Sequence, residues 1–265
     1  MSNTDKTSLG DRMKLYEGVT RTHLMPRGYA CIRVDGRSFS QYTKGLAKPF
    51  DSGLMADMNA TAVYLCENIQ NAKVGYVQSD EISVVTANAD EFETQMFFDG
   101  NIQKISSVVA SMATAKFNQL RVQRQFVEKN QWYDSTLAMF DCRCWNVPNR
   151  WEAYNTLVWR QQDAIRNSIS SVSQSQYSHK ELHGKSQSDM HEMLHQKGVN
   201  WATGFSDGEK NGRLIVKEEY FVAPRGNEVL EQYVHGLTRS RWISKGAWVL
   251  TQDEGKLLGM IPKYE

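Results

Sequence analysis

The apolar positions of this chain switch between two periods. In residues 51–72, Leu54, Met55, Met58, Ala62 and Leu65 recur every three to four positions. That spacing lays one stripe along an α-helix, and Asp51 or Ser52 supplies an N-cap. A second stripe through Ile102, Ile105, Val109, Met112 and Phe117 predicts a long helix over 101–128. Elsewhere the period falls to two. In YACIRVDGRSF, from Tyr29, Ile32 and Val34 share one face while Cys31, Arg33 and Asp35 share the other. Gly36 ends or bends that strand. Runs at 74–77 and 82–86 flank a short acidic tip and predict a hairpin. LAMFDCRCWNV (137–147), closed by Pro148, predicts a further strand, and residues 11–23 a short polar helix.

The first half therefore runs strand, helix, hairpin, helix, strand. That order fits a split βαβ arrangement of α+β class, an antiparallel sheet with helices on one face. Residues 150–198 read as mainly helical. Residues 200–250 read as short strands, with turns at Gly204, Gly208, Gly212, Gly226 and Gly236.

Composition narrows the class. The chain has 265 residues, 40% hydrophobic and 23% charged, enough to bury a core without staples. A formal net charge of +1 gives no global field for a polyanion, so any such site is a local patch. Cys31, Cys66, Cys142 and Cys144 match neither a disulfide framework nor a paired zinc knuckle. No run has the length and apolarity of a membrane span, and the first residues carry no apolar signal core. The expectation is a soluble, cytoplasmic protein with no membrane partner.

The acidic tip reads Ser79-Asp80-Glu81. Asp35 ends a strand that a split βαβ sheet can lay beside this hairpin. Three carboxylates would then meet at one edge, and their repulsion calls for a cation or shared protons. Magnesium suits such a set, because it takes oxygen ligands and substrate phosphates. The alternative is three solvated turn acids. Arg37, Lys44 and Lys48 follow Asp35, with Lys104 near the next helix start. Cations beside an acidic metal site suit a polyphosphate. With no Walker loop and no glycine-rich dinucleotide motif, metal and side chains would hold it.

RVDGRSF, AKPFD and GYVQSDEISVV, followed by FDCRCWNVPN, WRQQDAIRNSI and HKELHGKS, resemble in order and spacing the tRNA-His guanylyltransferase family over residues 11–195. The resemblance implies a palm domain like that of polymerases and nucleotide cyclases over 1–148. Residues 149–265 would pack on it and touch tRNA. It implies nucleotide addition to the 5′ end of tRNA, in the 3′-to-5′ direction, with ATP, GTP or other nucleoside triphosphates as substrates. Carried over by position, Asp35 and Asp80 bind two Mg²⁺ with help from the Gly36 carbonyl, and Glu81 supports them. Arg37, Lys48, Ser79 and Lys104 fall near nucleotide or triphosphate. The family assembles as homotetramers.

One departure shapes the reading. Eukaryotic members carry D-x-H-I-N-N where this chain has Asp163-Ala164-Ile165-Arg166-Asn167-Ser168, so Ile165 replaces the histidine. Bacterial and archaeal-type members share this change and act as templated 5′-end repair enzymes. Templated repair is therefore expected ahead of non-templated guanylation of tRNA-His, with a catalytically silent nucleotide- or RNA-binding palm as the alternative of another class. Asp163 and Asn167 either touch the nucleotide or form an i,i+4 pair.

Two further motifs need weighing. His191-Glu192-Met193-Leu194-His195 matches H-E-x-x-H, but SQSD just before it reads as a helix N-cap. His191 would then lie in a frayed first turn, and no third-ligand motif follows. LTRSRWISKGAW gathers Arg239, Arg241 and Lys245 among Trp242 and Trp248. Together with Arg150 and Arg160 these are candidate RNA contacts, and core tryptophans beside solvated cations are the alternative.

Overall fold

The computed structural model describes residues 7–129, 136–222 and 237–264. Its helices are α1 (Leu9–Gly18), α2 (Phe39–Tyr42), α3 (Ser52–Asn68), α4 (Ile102–Lys129), α5 (Arg150–Gln176), α6 (His179–Leu182), α7 (Gln187–Gln196), α8 (Trp201–Gly204), α9 (Asp207–Lys210) and α10 (Glu254–Leu258). Its strands are β1 (Tyr29–Gly36), β2 (Ala72–Gln78), β3 (Glu81–Ala87), β4 (Phe140–Val147), β5 (Arg213–Val222) and β6 (Leu237–Gly246). None of these helices is long and apolar enough to cross a membrane.

All six strands form one antiparallel sheet, ordered β4-β1-β3-β2-β5-β6. The first four carry the split βαβ order, so β1 lies directly beside β3 of the hairpin. Asp51 caps α3 by accepting a 2.7 Å bond from the Leu54 N–H. The period-two pattern of β1 sorts its side chains between two cores. Ala30, Ile32 and Val34 pack with Met58, Leu65, Val109 and Phe117 of α3 and α4. Tyr29 and Cys31 pack with Tyr154 and Leu157 of α5 and with Leu257 of α10. The helices of the first half thus cover one face, as the α+β reading expects, and the second half covers the other.

Two local expectations change. The short strands of 200–250 are two ten-residue strands. Only Arg213–Ile215 of β5 pairs with β2, so its outer half forms a two-stranded ribbon with β6. A ribbon open on both faces has no apolar alternation to read. Gly204 and Gly208 sit within the one-turn helices α8 and α9, whereas Gly212 does turn the chain, at φ +77°. Gly226 and Gly236 lie outside the described residues. Helix α1 ends at Gly18, five residues short of the expected 11–23, and none of its residues is buried.

Candidate active site

Register builds the site. The β1–β3 pairing sets Asp35 opposite Glu81, and the β2–β3 pairing closes on Gln78 and Glu81. Ser79 and Asp80 are therefore the whole turn. Ser79 takes φ +44°, a left-handed conformation that costs a non-glycine residue about 1 kcal/mol or more. On its other side, β4 sets Asp141 opposite Asp35. Gly36 admits the Asp80 carboxylate: a β-carbon there would lie 2.8 Å from Asp80 Oδ2 and would strike the Phe39 ring. The predicted meeting of Asp35, Asp80 and Glu81 at one sheet edge is thus realised.

The charge there is under-compensated. Burial, and then the neighbouring Asp35 charge, hold the Asp80 carboxyl above its usual range, although hydrogen bonds from the turn backbone and Ser79 oppose this. Burial pushes Glu81 up to about 7, with Asp35 and Asp80 adding to the rise. Arg33 and a hydrogen bond from Gln78 work the other way. Glu81 Oε1 also lies 2.9 Å from Arg160 Nε, in a contact not aligned as a hydrogen bond. Among the described residues no three His, Cys, Asp or Glu side chains converge to hold a metal. The donor set that fits a divalent cation is smaller: Asp35, Asp80 and the Gly36 carbonyl, with Glu81 turned toward Arg160. A cation there would offset the burial, and the smaller repulsion, that raise the Asp80 and Glu81 carboxyls.

A cavity of about 380 Å³ wraps the sheet end beside this tip, between the start of α3 and α5. Lys44, Lys48, Ser79 and Asn167 line it, so three of the predicted nucleotide contacts and a further lysine share one space. Asn167 donates a 3.4 Å hydrogen bond to Gln78 Oε1. Asp163 sits between Arg160 and Arg166, ion-paired to both, so the expected Asp163–Asn167 pair does not form. Arg37 is exposed just beyond Gly36, and its backbone N–H donates to Met139 O.

Several expected contacts are displaced. Lys104 stands in the first turn of α4, with its Nζ 5.6 Å from the Phe98 ring centroid. It lines a separate cavity of about 530 Å³ with Arg21 and His23. Phe117, which packs on Phe39 beside the ledge, lies thirteen residues further along α4, or roughly 20 Å. Lys104 therefore does not reach its own chain's carboxylates. Arg160 is 6% exposed and committed to Glu81 and Asp163, and Arg150 donates to the Leu258 carbonyl that ends α10. Neither is open to RNA. Arg239 is exposed, but Arg241 and Lys245 both pair with Glu218, at 3.3 and 3.1 Å. Trp242 and Trp248 pack against the two cores, as the structural alternative required.

The H-E-x-x-H histidines diverge in environment. Ser186 and Asp189 form a capping box, which puts His191 in the second turn of α7, past the frayed one. His191 meets the Trp201 ring edge-on at 5.4 Å, while His195 is exposed.

Four residues of this region are not among the sequence candidates, although Arg33, Gln78 and Asp141 fall inside the motifs that carry the resemblance. Asp141 is set by strand pairing and bridges to Arg143 at 3.3 Å. Arg33 lies between the Trp145 and Trp159 rings, 6.0 and 5.4 Å from their centroids. Gln78 links Asn167 to Glu81. Arg213 is buried at the cavity wall, its Nε donating to Asn59 Oδ1 at 2.8 Å, and burial lowers it to about 10.

Comparison with known proteins adds an independent line. The model of the family described as tRNAHis guanylyltransferase matches residues 10–148. A probable tRNA(His) guanylyltransferase of Dictyostelium discoideum is 30% identical over 148 residues, 55% of this chain and 54% of that protein. A bacterial tRNA(His) guanylyltransferase-like protein solved in complex with ATP is 38% identical. Its structure has a TM-score of 0.81, with 96% of this chain and 99% of that one covered. A structure described in the same words, in complex with GTP, gives 37% identity and a TM-score of 0.74, with the same coverage. For two of the curated relatives the match spans 63% and 54% of their length.

Proposed function

This chain belongs to the tRNAHis guanylyltransferase family, and from that premise we propose that it is an Mg²⁺-dependent nucleotidyltransferase that extends the 5′ end of tRNA in the 3′-to-5′ direction, most often by templated repair. The observation that carries the reading is the ledge itself. Two buried carboxyls held above their usual range, Asp80 and Glu81, stand with Asp35 beside a cavity lined by lysines. Such an arrangement needs a cation, and then a polyanion to match it.

Asp35, Asp80 and the Gly36 carbonyl would hold the metal. When bound, two Mg²⁺ ions would supply Lewis-acid polarisation of the phosphoryl group and lower the pKa of the attacking hydroxyl. The chain's own residues do the positioning. Lys48, Lys44 and Ser79 hold the nucleoside triphosphate in the cavity, and Gln78 and Asn167 orient the wall beside Glu81. In the transfer the 3′-hydroxyl of that nucleotide loses its proton and attacks the tRNA 5′ phosphorus in line. One P–O bond forms, and the bond to AMP or pyrophosphate breaks, according to whether the end arrives as adenylate or triphosphate. Fixing the two ends in line is where such enzymes find most of their rate.

Ile165 in place of histidine favours the templated form over strict guanylation of tRNA-His. The distance between Lys104 and its own ledge is consistent with the homotetramer expected of the family, in which Lys104 would serve a neighbouring chain's triphosphate. A 5′-labelled tRNA lacking its first nucleotide, given Mg²⁺, ATP and each nucleoside triphosphate in turn, tests the proposal. Addition of only the nucleotide complementary to the opposite strand is expected. Addition of G whatever lies opposite would replace templated repair by guanylation. No lengthening even of a 5′-triphosphate end would overturn the assignment, leaving a binding palm or a cyclase.

A further inference from the structure

The cavity and Arg33 lie on opposite sides of Glu81. Along α5, Asn167 reaches Gln78 on β2 at the cavity, Arg160 reaches Glu81 on β3, and Trp159 lies over Arg33 on β1. A reaction at the ledge must bring two substrates together there. If the nucleotide fills the cavity, the RNA end has to approach over the β1–β4 flank.

That flank has a particular chemistry. Trp159 is 46% exposed, so part of its ring faces solvent. Its ring is also held in place, with the Arg160 guanidinium 4.0 Å and that of Arg33 5.4 Å from its centroid. Arg33 in turn rests against Trp145, and β4 sets Arg143 opposite Arg33. A partly exposed aromatic ring steadied by guanidinium groups, with an anion-transfer site beside it, suits stacking by a nucleobase at the end of an RNA chain. A second copy of this chain would gain little here, because one half-exposed ring among paired charges is too small an apolar patch for a stable dimer.

Resting on the nucleotidyltransferase reading, we propose that Trp159 is the stacking platform for the terminal base of the RNA strand that presents its 5′ phosphate. Trp159 is thus a positioning residue: it touches the base and leaves the reacting phosphorus to the ledge. Its contact is sequence-tolerant, because every base has a π-face, which suits an enzyme whose choice of nucleotide comes from the opposite strand.

The test uses the full chain and a fluorescent tRNA in two forms, with an intact or an abasic 5′-terminal nucleotide. Anisotropy gives RNA affinity for the parent, Trp159→Phe and Trp159→Ala, and ATP affinity is measured alongside. The parent should bind the intact end about tenfold more tightly than the abasic end. Trp159→Ala should lose that preference by weakening for the intact end alone, and Trp159→Phe should retain most of it. ATP affinity should not follow the loss. A parent and Trp159→Ala with the same preference would overturn the platform while leaving the enzyme reading intact. A change in sedimentation without a change in RNA binding would also overturn it, assigning the face to self-association. A parent that binds no tRNA in either form removes both readings.

Discussion

Asp57 and Glu81 are both buried carboxylates, yet they are balanced in opposite ways. Asp57, on α3 and 1% exposed, is held by two guanidiniums. Arg121 lies at 3.0 Å, and Arg124 reaches it through Nη2 at 2.7 Å and through Nε at 3.0 and 3.1 Å. One negative charge there faces two positive ones. Glu81 shares its edge with Asp35 and Asp80, and its nearest cation, Arg160, is also claimed by Asp163. The first cluster is complete within the protein and ties α3 to α4. The second has surplus negative charge that only something outside the protein can neutralise. Charge balance, not burial, separates a structural clamp from a binding ledge.

Replacing carboxylates breaks the comparison most directly. Asp35→Ala or Asp80→Ala should lower 5′ extension by roughly 10³-fold or more, since charge stabilisation at the transferring phosphoryl group is lost. Neither should lower the melting temperature, because each removes repulsion. A variant that kept near-parent turnover in the extension assay would refute the metal assignment. Asp57→Asn should do the reverse. It takes the carboxylate charge from the buried Arg121 guanidinium and should cost about 3–5 kcal/mol in urea unfolding. Activity per folded molecule should persist at low temperature. Equal stability of parent and variant would show that the pair is not a clamp.

A pH series sharpens the contrast. Glu81 titrates near 7 in the folded chain against 4.5 ordinarily. Between those values the folded state keeps a proton that the unfolded state has released, so stability falls as pH rises through that window. The full effect is at most about 3 kcal/mol, and the nearby Arg160 reduces it. Thermal melts in metal-free buffer from pH 4.5 to 8 should show this slope for the parent and a smaller one for Glu81→Gln. Added Mg²⁺ should stabilise more at pH 8 than at pH 5. A slope of the same size in Glu81→Gln would place its origin elsewhere.

What the sequence discloses here is what is local or fixed by register. Period-two runs around a two-residue tip specify the hairpin, and the strand–helix–hairpin order puts β1 beside β3. Those two facts bring Asp35, Asp80 and Glu81 together, whereas their role as a site comes from the family resemblance, and spacing alone leaves solvated turn acids open. Asp51 as the α3 cap is equally local. Residues whose place depends on how a long helix crosses the sheet are hidden. Arg160 looks like any arginine after a tryptophan until α5 is laid over β3. Lys104 is near the hairpin in sequence but far from it in space, because β3 carries the chain to the other end of the sheet before α4 begins. Arg213 begins an ordinary β pattern, and only the packing of α3 and α9 around it buries it.

The smallest effect concerns the basic stretch of β6. Arg241 and Lys245 are well exposed and share Glu218 across the β5–β6 ribbon. Glu218 is partly exposed, and hydrogen bonds from Lys245 and then Arg241 lower its pKa. Exposed pairs of this kind contribute little, because water screens them and ordering long side chains has an entropic cost. Arg241→Ala and Lys245→Ala should each change stability by less than about 0.5 kcal/mol. Their positive charge is already half-answered by Glu218, and the neighbouring tryptophans are packed inward. The tRNA affinity of either variant should therefore shift less than that of Trp159→Ala, measured in the same anisotropy assay. A larger loss at Arg241 or Lys245 would move the RNA path from the flank of β1 to the far edge of the sheet. The carboxylate ledge would then be approached past β5 and β6, on the cavity's own side.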